Sequence, residues 1–173
     1  DNNVGLVYSN VKPIGESGTI SMRNSCLTVF PTLPANVPFE AFRRLSSLNF
    51  VPSFSTVIAR RGIFTGLKFL SDKKYAIWLD WFLWLQVSLK TRFLFIPQTL
   101  VGWRLYKNSY CNRFFYNSNL IKLVIFDFKY RIMVLRKFIF PRKCDTGRKL
   151  RLLWLFVMGY LKRPLVYKGL LQI

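Results

Sequence analysis

Trp78-Leu79-Asp80-Trp81-Phe82-Leu83-Trp84-Leu85 is the stretch on which the chain turns. It lies in a segment, Ser71 to Lys90, whose spacing predicts a helix. Ser71 can cap its start, Asp72 suits the first turn and Lys90 the last. Between Lys74 and Lys90 the only charge is Asp80, and the remainder is apolar almost all the way round, the pattern of a buried helix. An unpaired carboxylate in such a setting costs several kcal/mol, since even a neutral polar group costs roughly 2–7. Its own helix offers no partner, because the positions three and four away are Ile77, Leu83, Ala76 and Trp84. Asp80 therefore lines a cleft, or a basic residue from elsewhere in the chain meets it.

Outward from that helix, strand and helix patterns alternate, which predicts an α/β fold. Val4 to Val11 and Gly18 to Met22 read as strands around a turn at Lys12–Ser17. Pro31, Pro34 and Pro38 mark a loop before a short helix at about Phe39–Leu48. Val51 to Ala59 reads as a strand with Pro52 at its edge, and Arg60 to Phe64 as a helical turn closing near Gly66. Arg92–Ile96 is a strand stopped by Pro97, and Leu100–Tyr106 another, ending in Lys107-Asn108-Ser109.

Beyond about Arg113 the texture changes, which divides the chain into 1–113 and a basic helical tail, 114–173. A helix is expected over Asn119–Phe140, with Lys122, Lys129 and Arg136 seven apart on one face and an Asp127/Arg131 i,i+4 pair on the other. A second, Arg148–Arg163, brackets Leu152–Leu161 with cations at both ends. That apolar run is too short to cross a bilayer, and no charge-free stretch elsewhere reaches the ~18–20 residues required. Basic helices carrying Trp and Phe suit the surface of an anionic leaflet, or else form an ordinary helical subdomain with solvated cations.

With 27 Lys and Arg against 7 Asp and Glu, the formal charge is +20, a field that favours anionic partners. Hydrophobic residues make up 51% of the chain, which excludes disorder. His is absent and Cys26, Cys111 and Cys144 are scattered, so a His/Cys zinc site is excluded and reduced thiols are expected.

The order VGLVYSNV, Gly18-Thr19-Ile20, Val51 to Arg61, Gly66-Leu67-Lys68-Phe69, Leu79 to Leu85, Phe95-Ile96-Pro97 and Trp103 to Ser109 resembles the second half of bacterial family 2 glycosyltransferases of the GT-A fold, over about Val4 to Arg113. The resemblance implies an inverting enzyme that moves a sugar from a nucleotide-diphosphate donor to a glycan or lipid-linked acceptor, with Asp80 as general base. It also implies substrate contacts from Trp81 and Trp84, the alternative for these two being core packing. Arg104, Tyr106 and Ser109 fall on an R-x-H-x-x-S pattern, Tyr106 replacing a histidine that lies near the donor diphosphate and metal. Leu79 stands where many such enzymes have an acid.

The family's donor half, with its D-x-D metal site, would precede Asp1, and no D-x-D or phosphate-binding glycine motif occurs here. The resemblance therefore implies a truncated GT-A domain. Its divalent metal (Mg or Mn) is held mostly by residues outside this chain, and the chain alone is expected to transfer no sugar. The expected setting is cell-surface polysaccharide or lipopolysaccharide synthesis, peripheral on the cytoplasmic face of the bacterial inner membrane, without nucleic acid. Two other classes fit the charge: a basic peripheral membrane protein without chemistry, and a nucleic-acid-binding module, although no recognised nucleic-acid motif is present.

Overall fold

The computed structural model describes residues 3–15, 18, 38–46, 49–69, 73–104, 106, 108–109, 113, 119–139 and 146–161. The expected strand residues 19–22, the Pro31/Pro34 loop, the Ser71 cap, Asp72, residues 140–145 and 162–163 and all three cysteines lie outside these. The architecture is mixed α/β: a three-stranded sheet with helices packed against it.

Strand β1 (Val4–Ile14) is central. It runs antiparallel to β2 (Val57–Ala59) and parallel to β3 (Arg92–Arg104), giving the order β2-β1-β3. Leu6 and Tyr8 alternate onto the buried face, where the Tyr8 ring meets Phe50 and Phe95. Gly5 lies where β1 crosses Thr91 and Ile63; a Cβ there would come within 2.5 Å of Thr91 Oγ1 and 2.9 Å of Ile63 Cγ2. Gly5→Ala is accordingly expected to lower stability by about 1–3 kcal/mol in chemical denaturation. An unchanged midpoint would show that the strand yields instead.

Two strand expectations are corrected. The pattern Val51–Ala59 yields pairing only at Val57–Ala59, because Ser53 caps a 3-10 turn at Phe54–Thr56 by accepting from the Ser55 N–H. Conversely, Pro97 does not stop a strand. β3 runs through it at the sheet edge with a bulge, Ile96 pairing with Ser9 and Thr99 with Asn10. Asn10 Nδ2 donates to the Pro97 carbonyl at 2.7 Å, so a side chain of β1 ties the bulge to the sheet.

The central helix is shorter than its pattern. A 3-10 segment, Lys73–Trp78, leads into α2 (Leu79–Val87), in which every residue from Trp81 onward is buried. Gln86 contributes by pinning the preceding loop, its side chain donating to Lys68 O at 2.7 Å and accepting from Lys68 N at 2.8 Å. The end of α1 (Pro38–Leu45) docks on α2, where Trp81 Nε1 donates to Leu45 O at 2.6 Å.

Helices α3 (Leu120–Val134, continued by a π turn at Leu135–Ile139) and α4 (Thr146–Leu161) follow. Asn119 caps α3 by accepting from the Lys122 N–H. Tyr130 of α3 stacks on Trp81, and Phe156 of α4 lies 6.3 Å from Phe42. The helices beyond residue 113 thus complete the same hydrophobic core as the sheet and α2.

Candidate functional site: a buried carboxylate at the start of α2

Asp80 occupies the first turn of α2, where the helix dipole favours negative charge. Oδ1 accepts from the Trp81 N–H at 2.6 Å and Oδ2 from Asn49 Nδ2 at 3.2 Å. Asn49 is itself oriented, since its Oδ1 accepts from the Val51 N–H at 3.3 Å and turns the amide nitrogen towards Asp80. Although the residue as a whole is half-buried, its carboxylate is closely surrounded by protein. Burial pushes it from the ordinary 3.8 up to about 6, against the lowering pull of the Trp81 N–H and Asn49 bonds.

No Lys or Arg among the described residues pairs with Asp80. Of the two options the sequence left open, the structural cation is therefore not realised there. An acid held by neutral donors alone keeps its basicity near neutral pH, which a guanidinium partner would have abolished.

The remaining candidates are placed differently. Trp81 and Trp84 are each 1% exposed, so both rings are core and neither presents a free face. Arg104 ends β3 on the surface, Nη1 donating to Gly15 O at 3.3 Å. Tyr106 is exposed, and its carbonyl accepts from the Ser109 N–H in a turn. None of these three contacts Asp80, whose bonds are to Asn49 and Trp81. Asn49 was invisible to sequence reasoning: a single Asn between apolar residues carries no motif, and only packing brings it across 31 positions to the carboxylate.

The pair Asp127/Arg131, legible as an i,i+4 spacing, proves to be buried at 0% and 3% exposure. Arg131 Nε donates to Asp127 Oδ2 at 2.8 Å, and Nη1 to Ser46 O at 2.6 Å and Phe156 O at 3.2 Å. Its guanidinium carbon lies 5.3 Å from the centre of the Trp81 ring. One side chain thereby joins α1, α3 and α4 around the helix that carries Asp80.

Among the described residues no three His, Cys, Asp or Glu side chains gather into a set that could hold a metal ion, so Asp80 is not part of a cage. No described helix is long and apolar enough to cross a membrane. Comparisons with family models, curated proteins and solved structures find no match to this chain.

Proposed function

We propose that the chain is the acceptor-side part of an inverting GT-A-type glycosyltransferase and that Asp80 is its general base. The observation that carries this reading is a carboxylate raised to about 6, oriented by two hydrogen bonds and without a cation partner. Such a group takes the proton of the acceptor hydroxyl as its oxygen attacks the anomeric carbon. The bond from that carbon to the nucleoside diphosphate breaks on the opposite face, so the configuration inverts. Positioned general bases contribute about 10²–10⁴-fold.

On this reading Trp81 and Trp84 are positioning residues: their burial supports a role in holding α2 rather than in stacking on sugar. Arg104, Tyr106 and Ser109 belong to the donor-facing turn of the resemblance. A divalent ion, Mg or Mn, would be held mostly by residues of the donor half outside this chain and would supply charge neutralisation for the leaving diphosphate. The acceptor is a glycan or lipid-linked hydroxyl, and the setting is peripheral on the cytoplasmic face of the bacterial inner membrane, in polysaccharide or lipopolysaccharide assembly.

The test is transfer from a panel of nucleotide-diphosphate sugars with Mn²⁺. The 173-residue chain is expected to give no turnover, and a protein that includes the D-x-D donor half is expected to transfer. Turnover by the chain alone would overturn the division into halves. No transfer by the longer protein with any donor would overturn the enzymatic reading and leave a basic peripheral protein without chemistry.

A further inference from the structure

Helix α3 is amphipathic in an inverted sense. Its inner side buries the Asp127/Arg131 pair beside Leu123, Tyr130 and Val134. Its outer side carries Ile121, Ile125 and Phe128 at 69%, 48% and 50% exposure, one stripe at i, i+4 and i+7. Lys122, Lys129 and Arg136 run alongside it, all exposed and seven residues apart. Single exposed apolar residues are ordinary; a continuous stripe of large ones marks a docking surface.

A cavity of about 410 Å³ opens beside the stripe, between Tyr75 and the outer side of α3, with Phe128 and Ile132 in its apolar wall. Lys129, Arg136 and Lys137 also line it, and no acid does. The π turn at the end of α3 contributes Arg136 and Lys137 together to one groove. None of these three cations has an acidic partner among the described residues. Three like charges gathered over an aromatic floor repel one another until an anion arrives.

We infer that this face of α3 docks on an anionic bilayer, seating a lipid phosphate among Lys129, Arg136 and Lys137 while Ile121, Ile125 and Phe128 enter the acyl boundary. Charge selects the occupant: a chain of +20 meets a negative leaflet. The apolar stripe is what a bilayer satisfies and a soluble anion does not. α4 repeats the device, with Leu150, Trp154 and Val157 exposed at the same spacing. The inference rests on the membrane-surface part of the proposed function and is independent of the catalytic part.

The experiment is co-flotation of the chain with phosphatidylglycerol/phosphatidylcholine vesicles, against phosphatidylcholine alone. Binding is expected only with the anionic lipid. Lys129→Ser/Arg136→Ser/Lys137→Ser should weaken it on the order of 100-fold, and Ile125→Ser/Phe128→Ser on the order of 10-fold. Lys12→Ser/Arg61→Ser/Lys68→Ser removes the same charge from exposed positions elsewhere and should cost far less. If both triple variants weaken binding equally, the membrane reading stands and this site falls. If the unaltered chain ignores anionic vesicles, both fall. Full displacement by a short oligonucleotide, with the Ile125/Phe128 variant unimpaired, would assign the groove to nucleic acid instead. Inorganic phosphate at millimolar concentration should displace little, because it satisfies the cations and not the stripe.

Discussion

Arg131→Met is expected to destabilise the protein by about 3–5 kcal/mol, the range for breaking a buried ion pair from one side. Asp127 would be left at 0% exposure with no counter-charge, and its Oδ1 already lacks a hydrogen-bond partner. The carbonyls of Ser46 and Phe156 would lose the donor that ties α1 and α4 to α3. Methionine replaces the volume, so the loss reports charge and hydrogen bonds rather than a cavity. Small domains are stable by only about 5–15 kcal/mol, so the variant should lose about a fifth of its margin or more. Urea denaturation followed by tryptophan fluorescence measures it, since Trp81 stacks on Tyr130 beside the guanidinium. The double variant Asp127→Leu/Arg131→Met should recover part of the loss, because no charge is then stranded. A single-variant loss below about 1 kcal/mol would show that Arg131 is not the junction of the three helices.

Asp80→Asn should separate activity from stability. In a transferring protein it is expected to reduce the rate about 10²–10⁴-fold, the contribution of a positioned base. The amide keeps one oxygen to accept from the Trp81 N–H, while its nitrogen takes the place of the oxygen that accepts from Asn49, so the Asn49 bond is lost along with the basicity. The 173-residue chain shows the other half of the effect. A carboxyl raised from 3.8 to about 6 on folding favours the folded state fully below pH 3.8, and that contribution disappears as pH rises through 6. At pH 7.5 ionised Asp80 therefore costs stability, about 1–2 kcal/mol once its partial contact with solvent is discounted. Between pH 4 and pH 7.5 Asp80→Asn should gain that amount of stability relative to the natural chain, on top of a pH-independent loss of the Asn49 bond. A cost of that size would support the proposed role of Asp80 as a base. A stability difference that stays constant across this range would mean that the carboxylate is well solvated, and the proposed base would lose its elevated basicity.

Local pattern determined a good deal of this protein. The apolar run around Asp80 becomes a buried helix, Val4–Val11 lies within the central strand, and Phe39–Leu48 and Asn119–Phe140 mark helices that form within a few residues of those limits. These are signals of periodicity and capping, carried by neighbours in the chain. Seven-residue spacing likewise put Lys122, Lys129 and Arg136 on one face, and all three are exposed. Pro97 misleads for the same reason: a breaker by local rules, it is accommodated at a sheet edge by Asn10, a residue 87 positions away.

What surrounds a charge was decided only by tertiary structure. Asp127/Arg131 and Asp80 all read as plain facts of spacing, yet the pair is sealed in the core while the lone acid receives Asn49 in place of a cation. Spacing along one helix says which residues share a face. Whether that face meets water, a carbonyl or an aromatic ring depends on elements far away in sequence, and burial by those elements sets the basicity of Asp80.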